Sequence, residues 1–195
     1  KGKSSEYKKT VLDCIHVGLI ESIGIEDWDR FQRIVEIPKE DFETAYEEIK
    51  AGEKESHWIW YIFPQLEELG KSYMAKHYGI KDEEDARGYM KVPSLKNNLI
   101  KISTALRNLK TNNPVEVLGG IDAVKVRSCM TLFNYVCPEI PVFQDVLDKF
   151  YEGKKDDLTL DILLKNKMMK SKISKKRSNK EDEEDDKKKE DDKKE

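Results

Sequence analysis

Apolar positions recur along this chain at the three-and-four spacing of helices, in short runs broken by glycine or proline. From Tyr7 to Ile23 they are Val11, Cys14, Ile15, Leu19 and Ile23, with Gly24 as a stop. Asp27 then predicts a cap for a helix carrying Trp28, Phe31, Ile34 and Val35, interrupted at Pro38. Phe42, Ala45, Tyr46 and Ile49 share a face of the next helix, and Gly52 fits just past its end, where a left-handed conformation costs glycine little. The aromatic run Ser56-His57-Trp58-Ile59-Trp60-Tyr61-Ile62-Phe63-Pro64-Gln65 fits either a buried strand or a buried helical turn. Its helical neighbours, with Ser56 as an N-cap, favour a helix ended by Pro64.

Short helices are predicted from Ser72 to Tyr78 and from Asp82 to the break at Pro93. The clearest stripe follows between Ser94 and Lys110, where Leu95, Leu99, Ile102, Leu106 and Leu109 alternate steps of four and three. Asn113-Pro114 opens one more turn and Gly119-Gly120 ends it. From Asp122 to Val136 the apolar residues Ala123, Val124, Val126, Met130, Leu132, Phe133 and Val136 point in nearly every direction, the mark of a helix central to its domain. Pro141 opens a helix with Phe143, Val146, Leu147 and Phe150 inward. A last one from Asp157 carries Leu160, Leu163 and Leu164 before dissolving into lysines. The pattern predicts an all-α fold, a compact non-repeating array of about eight to ten short helices around a buried central helix.

Charge changes the picture only at the end of the chain. The formal net charge is −3, but residues 165–180 hold eight Lys or Arg and no acid, and residues 181–195 hold ten acids and five lysines. The tail is net positive, the preceding residues net acidic. With almost nothing apolar after Ile173, the expected division is an N-terminal helical extension over 1–26, a helical domain over 27–164 and a disordered charged tail over 165–195. A mildly acidic domain has no electrostatic reason to bind nucleic acid or an anionic membrane. Only Lys172–Arg177 forms a cluster of the kind read by nucleic acid or nuclear import. No apolar run approaches the roughly 18–20 residues of a membrane span, and the N-terminus does not read as a signal peptide. Cys14, Cys129 and Cys137 are odd in number with no C-x-x-C pair, which fits neither a disulfide scaffold nor a zinc ribbon. An intracellular, cytoplasmic protein is expected, with a nuclear one open through the basic cluster.

Two segments offer chemistry. In Ser56–Gln65, the bland reading makes Trp58, Ile59, Trp60, Ile62 and Phe63 core, with indole N–H groups partnered inside. The sharper reading lines a pocket with His57 and a tryptophan, an imidazole able to donate or accept beside a flat face for a planar ligand or a cation. In Lys125–Phe133, Arg127, Thr131 and Asn134 share one stripe of a helix and Lys125 faces roughly the opposite way. A guanidinium there must meet a carboxylate, a row of carbonyls or a ligand. An internal ion pair is the default reading, and a bound carboxylate or phosphate the functional one. His57 and His77 lack metal-ligand spacing and His16 stands alone, so no metal is expected. Cys129, on the buried helix, reads as an inert apolar residue. Neither a Walker loop nor a G-x-G-x-x-G motif is present, and no cofactor is expected. Gly119-Gly120 ahead of a helix start would suit an anion, but Asp122 argues against one.

These two segments carry a resemblance. Ser56 to Gln65 is similar to the hallmark S-H-W-x-W-x-x-F-P-Q of the domain of unknown function 1810 family, and Lys125 to Phe133 resembles its second hallmark, K-x-R-S-S-M-T-L-F. Cys129 departs from the second serine of that pattern, which puts in doubt any role needing a hydroxyl there. Gly70, Ser72, Ala75, Tyr78-Gly79-Ile80, Ala86 and Phe143 through Leu147 also fit, so the resemblance spans roughly Trp28 to Leu164. It implies an all-helical fold and no established activity, with Ser56, His57, Trp60, Gln65, Lys125, Arg127, Ser128 and Thr131 at the motif's polar or aromatic positions. The expected function is a binding module for a small anionic ligand or a peptide segment, using His57, Trp60, Gln65, Lys125, Arg127, Ser128 and Thr131. The alternative is a hydrolase or transferase acting on a nucleotide-like or ADP-ribose-like substrate, with His57 as acid/base and Arg127 holding the anion. In a third reading both motifs are only core.

Overall fold

Prolines and polar caps set most of the helix boundaries. Pro93, Pro114 and Pro141 each stand in a first turn, where a missing N–H costs nothing. The side chains of Ser72, Asp82 and Asn113 accept from the backbone N–H of Ala75, Asp85 and Val115. The computed structural model describes residues 25–191, with side chains over 30–177, so the expected helix at Tyr7–Ile23 lies outside the described residues. In chain order the elements are α1 (Ile25–Val35), α2 (Lys39–Ala51), α3 (Ile59–Ile62), a 3-10 turn (Glu67–Leu69), α4 (Tyr73–His77), α5 (Glu83–Lys91), α6 (Pro93–Arg107), α7 (Pro114–Val136), α8 (Pro141–Tyr151) and α9 (Asp157–Asp191). Among the described residues no strand forms. One parallel bridge joins Leu66 to Ile80. The protein is all-α.

Helix α7 is the centre, packed by α5, α8 and α9, while α6 closes the other side against α2 and α8. Phe133 on α7 is fully buried, with its ring 5.2 Å from that of Tyr89 and 6.0 Å from that of Phe143. The stripe on α6 buries Leu95, Leu99, Ile102 and Leu106 as its spacing predicts. Asp85 ties α5 to α1 through an ion pair of 2.6 Å with Arg30.

The structure corrects four local expectations. Asp27 does not precede α1, which already starts at Ile25; an acid in a first turn suits the positive end of the helix dipole equally well. Ser56 does not cap α3, which begins at Ile59 after Trp58, because Ser56 is held by α2 instead. Val124 and Ile121 are exposed, so α7 is enclosed on all sides only further along, where Ser128 to Asn134 are all buried. The last helix does not give way at the lysines but runs on to Asp191. Lys and Glu are good helix formers, so a stretch without an apolar period can still be helical. Of the described helices, none is long and apolar enough to cross a membrane.

Helix α7 is broken where Gly119-Gly120 suggested a stop. Gly119 has φ 75° and ψ 162°, a region glycine enters without strain and other residues do not. A Cβ at this position would meet nothing within 4 Å. Gly119→Ala should therefore cost backbone strain alone, about 1–2 kcal/mol, read as a lower urea midpoint with unchanged helicity.

Candidate functional site

Glu48 on α2 organises the entrance to the first motif. Its carboxylate accepts from Glu55 N at 2.9 Å, from Ser56 N at 3.0 Å, from the Ser56 hydroxyl, and from the Trp58 indole N–H at 2.7 Å. Burial alone would raise this carboxyl, but the donors outweigh it and hold it down at about 2. Trp58 is thereby a core residue with a satisfied N–H, as the bland reading has it. Sequence reasoning missed Glu48, one acid among several on α2. The available signal was that a buried indole N–H needs an acceptor.

The segment after α2 is stitched to the break in α7, since Lys54 N donates to Val117 O at 2.8 Å. Between them opens a cleft of about 370 Å³ lined by Lys54, His57, Trp60, Asp122, Lys125 and the Gly119–Gly120 backbone. Asp122 sits between two ammonium groups, 2.9 Å from Lys54 Nζ and 3.1 Å from Lys125 Nζ. Lys54 is the inner one. Its side chain is 7% exposed, lies 4.8 Å above the Trp58 ring and donates to Ser56 O. Lys125 is the outer one, 5.3 Å above the Trp60 ring. Two cations share one carboxylate, so the acid that argued against an anion here is already neutralised. His57 is exposed at the mouth and hydrogen-bonds to no described residue. Lys54 escaped the sequence reading because its partner lies far along the chain.

The other expected site residues lie elsewhere. The Gln65 carbonyl accepts from Ile80 N at 2.9 Å in the bridge beside the 3-10 turn. That close approach needs Gly79, whose Cβ would fall 2.5 Å from Glu67 Cβ. Arg127 makes neither the expected ion pair nor a fork open to solvent. Its Nε donates to Lys154 O at 2.8 Å and its Nη2 to Lys155 O at 2.7 Å, clamping the loop before α9. Thr131 Oγ1 donates to Arg127 O at 2.8 Å and accepts from Asp156 N at 2.9 Å, on the same stripe. Asp156 in turn caps α9, taking the N–H and the hydroxyl of Thr159. Ser128 is buried and donates back to Val124 O at 3.2 Å. Burial pushes the Cys129 thiol well above its ordinary range. His57, Trp60 and Lys125 thus share one cleft; Gln65, Arg127, Ser128 and Thr131 do not line it.

The second motif is divided by its helix. Lys125 faces the cleft and Arg127 faces the α9 junction, as their separation of about 200° demands. Among the described residues, no group of three or more His, Cys, Asp or Glu is placed to hold a metal ion.

No curated protein matches. The chain is similar to a solved structure, the conserved hypothetical protein Rv1873 from Mycobacterium tuberculosis, at 32% identity and a TM-score of 0.67. The match covers 69% of this chain and 96% of that one. The sequence model of the family described as "Protein of unknown function (DUF1810)" matches residues 28–163, and the chain belongs to that family.

Proposed function

We propose that the cleft between α3 and the break in α7 binds a small anionic ligand carrying a planar group. The observation that carries this reading is the convergence of His57, Trp60 and Lys125, with Lys54, on one open cleft in which cations outnumber acids. Lys125 meets the anionic group, exchanging part of its pairing with Asp122 for the ligand. Trp60 offers an indole face to a ring, and His57 adds a donor at the mouth. Lys54, nearly buried, fixes Asp122 and so the position of Lys125. Arg127 has no part in this site. The unit that binds is the helical domain over 27–164; the burial of Leu163, the last buried side chain among those described, and a family match ending at residue 163 support that boundary.

The test is a thermal-shift screen of the full chain against inorganic phosphate, nucleotides, sugar phosphates and carboxylates. A ligand at a hundred times its dissociation constant adds about 2.7 kcal/mol. At this chain length that raises Tm by about 5–10 °C. In Lys125→Ala the same ligand should shift Tm by less than half as much. Silence across the anion panel, or a shift that survives Lys125→Ala intact, overturns the reading.

A further inference from the structure

Helix α9 leaves the domain with a surface unlike the rest. Thr159 and Leu163 are buried against the core, and beyond them Leu164, Met168, Met169 and Ile173 are each more than half exposed, as is Leu158 before them. At about 100° per residue these residues form two rows. Leu164 and Met168 make one, Leu158, Met169 and Ile173 the other, and the rows are centred about 130° apart on the side facing away from the domain. A flat interface such as a bilayer surface meets a single apolar stripe. Two rows so far apart are covered together only by a partner that encloses the helix.

Charge narrows the partner. Residues 165–180 carry eight cations and no acid, so the groove needs an acidic rim. The domain supplies a weak substitute: Lys170 reaches Asp82 at 3.0 Å and Glu84 at 3.4 Å, and Lys165 reaches Glu68 at 3.8 Å. Such exposed pairs contribute little and are readily exchanged for others. The acids of residues 181–195 follow at once and repel any extended anionic surface, whereas a compact groove covers only the basic stretch before them. Exposed methionines suit a groove that adapts its own shape.

We propose that the stretch of α9 from Leu164 to Arg177, beyond the last buried side chain, is a docking helix for an acidic protein with an enclosing apolar groove, of the calcium-loaded EF-hand type. This stands apart from the cleft on α7 and does not depend on it.

The experiment titrates the full chain into calcium-loaded calmodulin, used as the probe, by calorimetry at physiological salt. Saturable one-to-one binding is expected, abolished when calcium is chelated. The double variant Met169→Asp/Ile173→Asp should bind roughly tenfold more weakly or worse. Because both side chains are exposed, its thermal unfolding should match the parent. Vesicles containing phosphatidylserine form the second arm. Absence of binding to the probe, equal binding without calcium, indifference to the double variant, or binding to vesicles in its place each overturns the proposal.

Discussion

Phe133→Ala should lower the unfolding free energy by about 3–5 kcal/mol, the cost of emptying an aromatic site that its neighbours cannot refill. The ring is fully buried at the crossing of α5, α7 and α8, in tilted contact with Tyr89 and Phe143. Each of those neighbours belongs to a different helix, so no single side-chain rotation closes the hole. Against a total stability of about 5–15 kcal/mol for a domain, such a loss leaves little margin. Denaturant unfolding of the variant should show a much reduced midpoint with a similar slope. A loss below about 1 kcal/mol would mean that the helices around α7 move together freely.

Glu48→Gln should cost about 2–4 kcal/mol at neutral pH, because an amide offers one acceptor oxygen where four donors converge. The effect is tied to pH, with a definite sign. The folded carboxyl sits at about 2 against an ordinary value of 4.5. The ionised group therefore stabilises the fold above about pH 4.5, and that contribution fades as pH falls through 4.5 towards 2. Discounted for partial exposure, the pH-dependent part is about 1–2 kcal/mol. Urea unfolding of parent and variant at pH 7 and pH 2.5 reads it directly: the gap between them should shrink at the lower pH. A gap independent of pH would place the effect in packing and not in charge.

The helical plan was legible because its signals are local. Proline and glycine mark where helices begin and end, and the stripe on α6 names its own buried face. Two features resisted for different reasons. The charged end of α9 has no apolar period, and helix propensity is a signal that a pattern of buried positions cannot register. The site resisted because sequence neighbours on a helix point apart. Lys125 and Arg127 belong to one motif and serve opposite sides of α7, while Lys54 and Asp122, far apart in sequence, meet at 2.9 Å. Glu48 lay beyond reach for a similar reason, since nothing in α2 tells which of its acids turns inward towards Trp58.

The clamp made by Arg127 on the carbonyls of Lys154 and Lys155 has a mechanical consequence. Helix α9 has 35 residues, a rod of about 52 Å at 1.5 Å per residue. A tilt of about 10° at its base would swing its far end through about 9 Å. The Arg127 clamp, with the Thr131 contact to Asp156 and the burial of Leu163, therefore fixes the base from which the whole arm extends, and a small shift there is magnified at the far end.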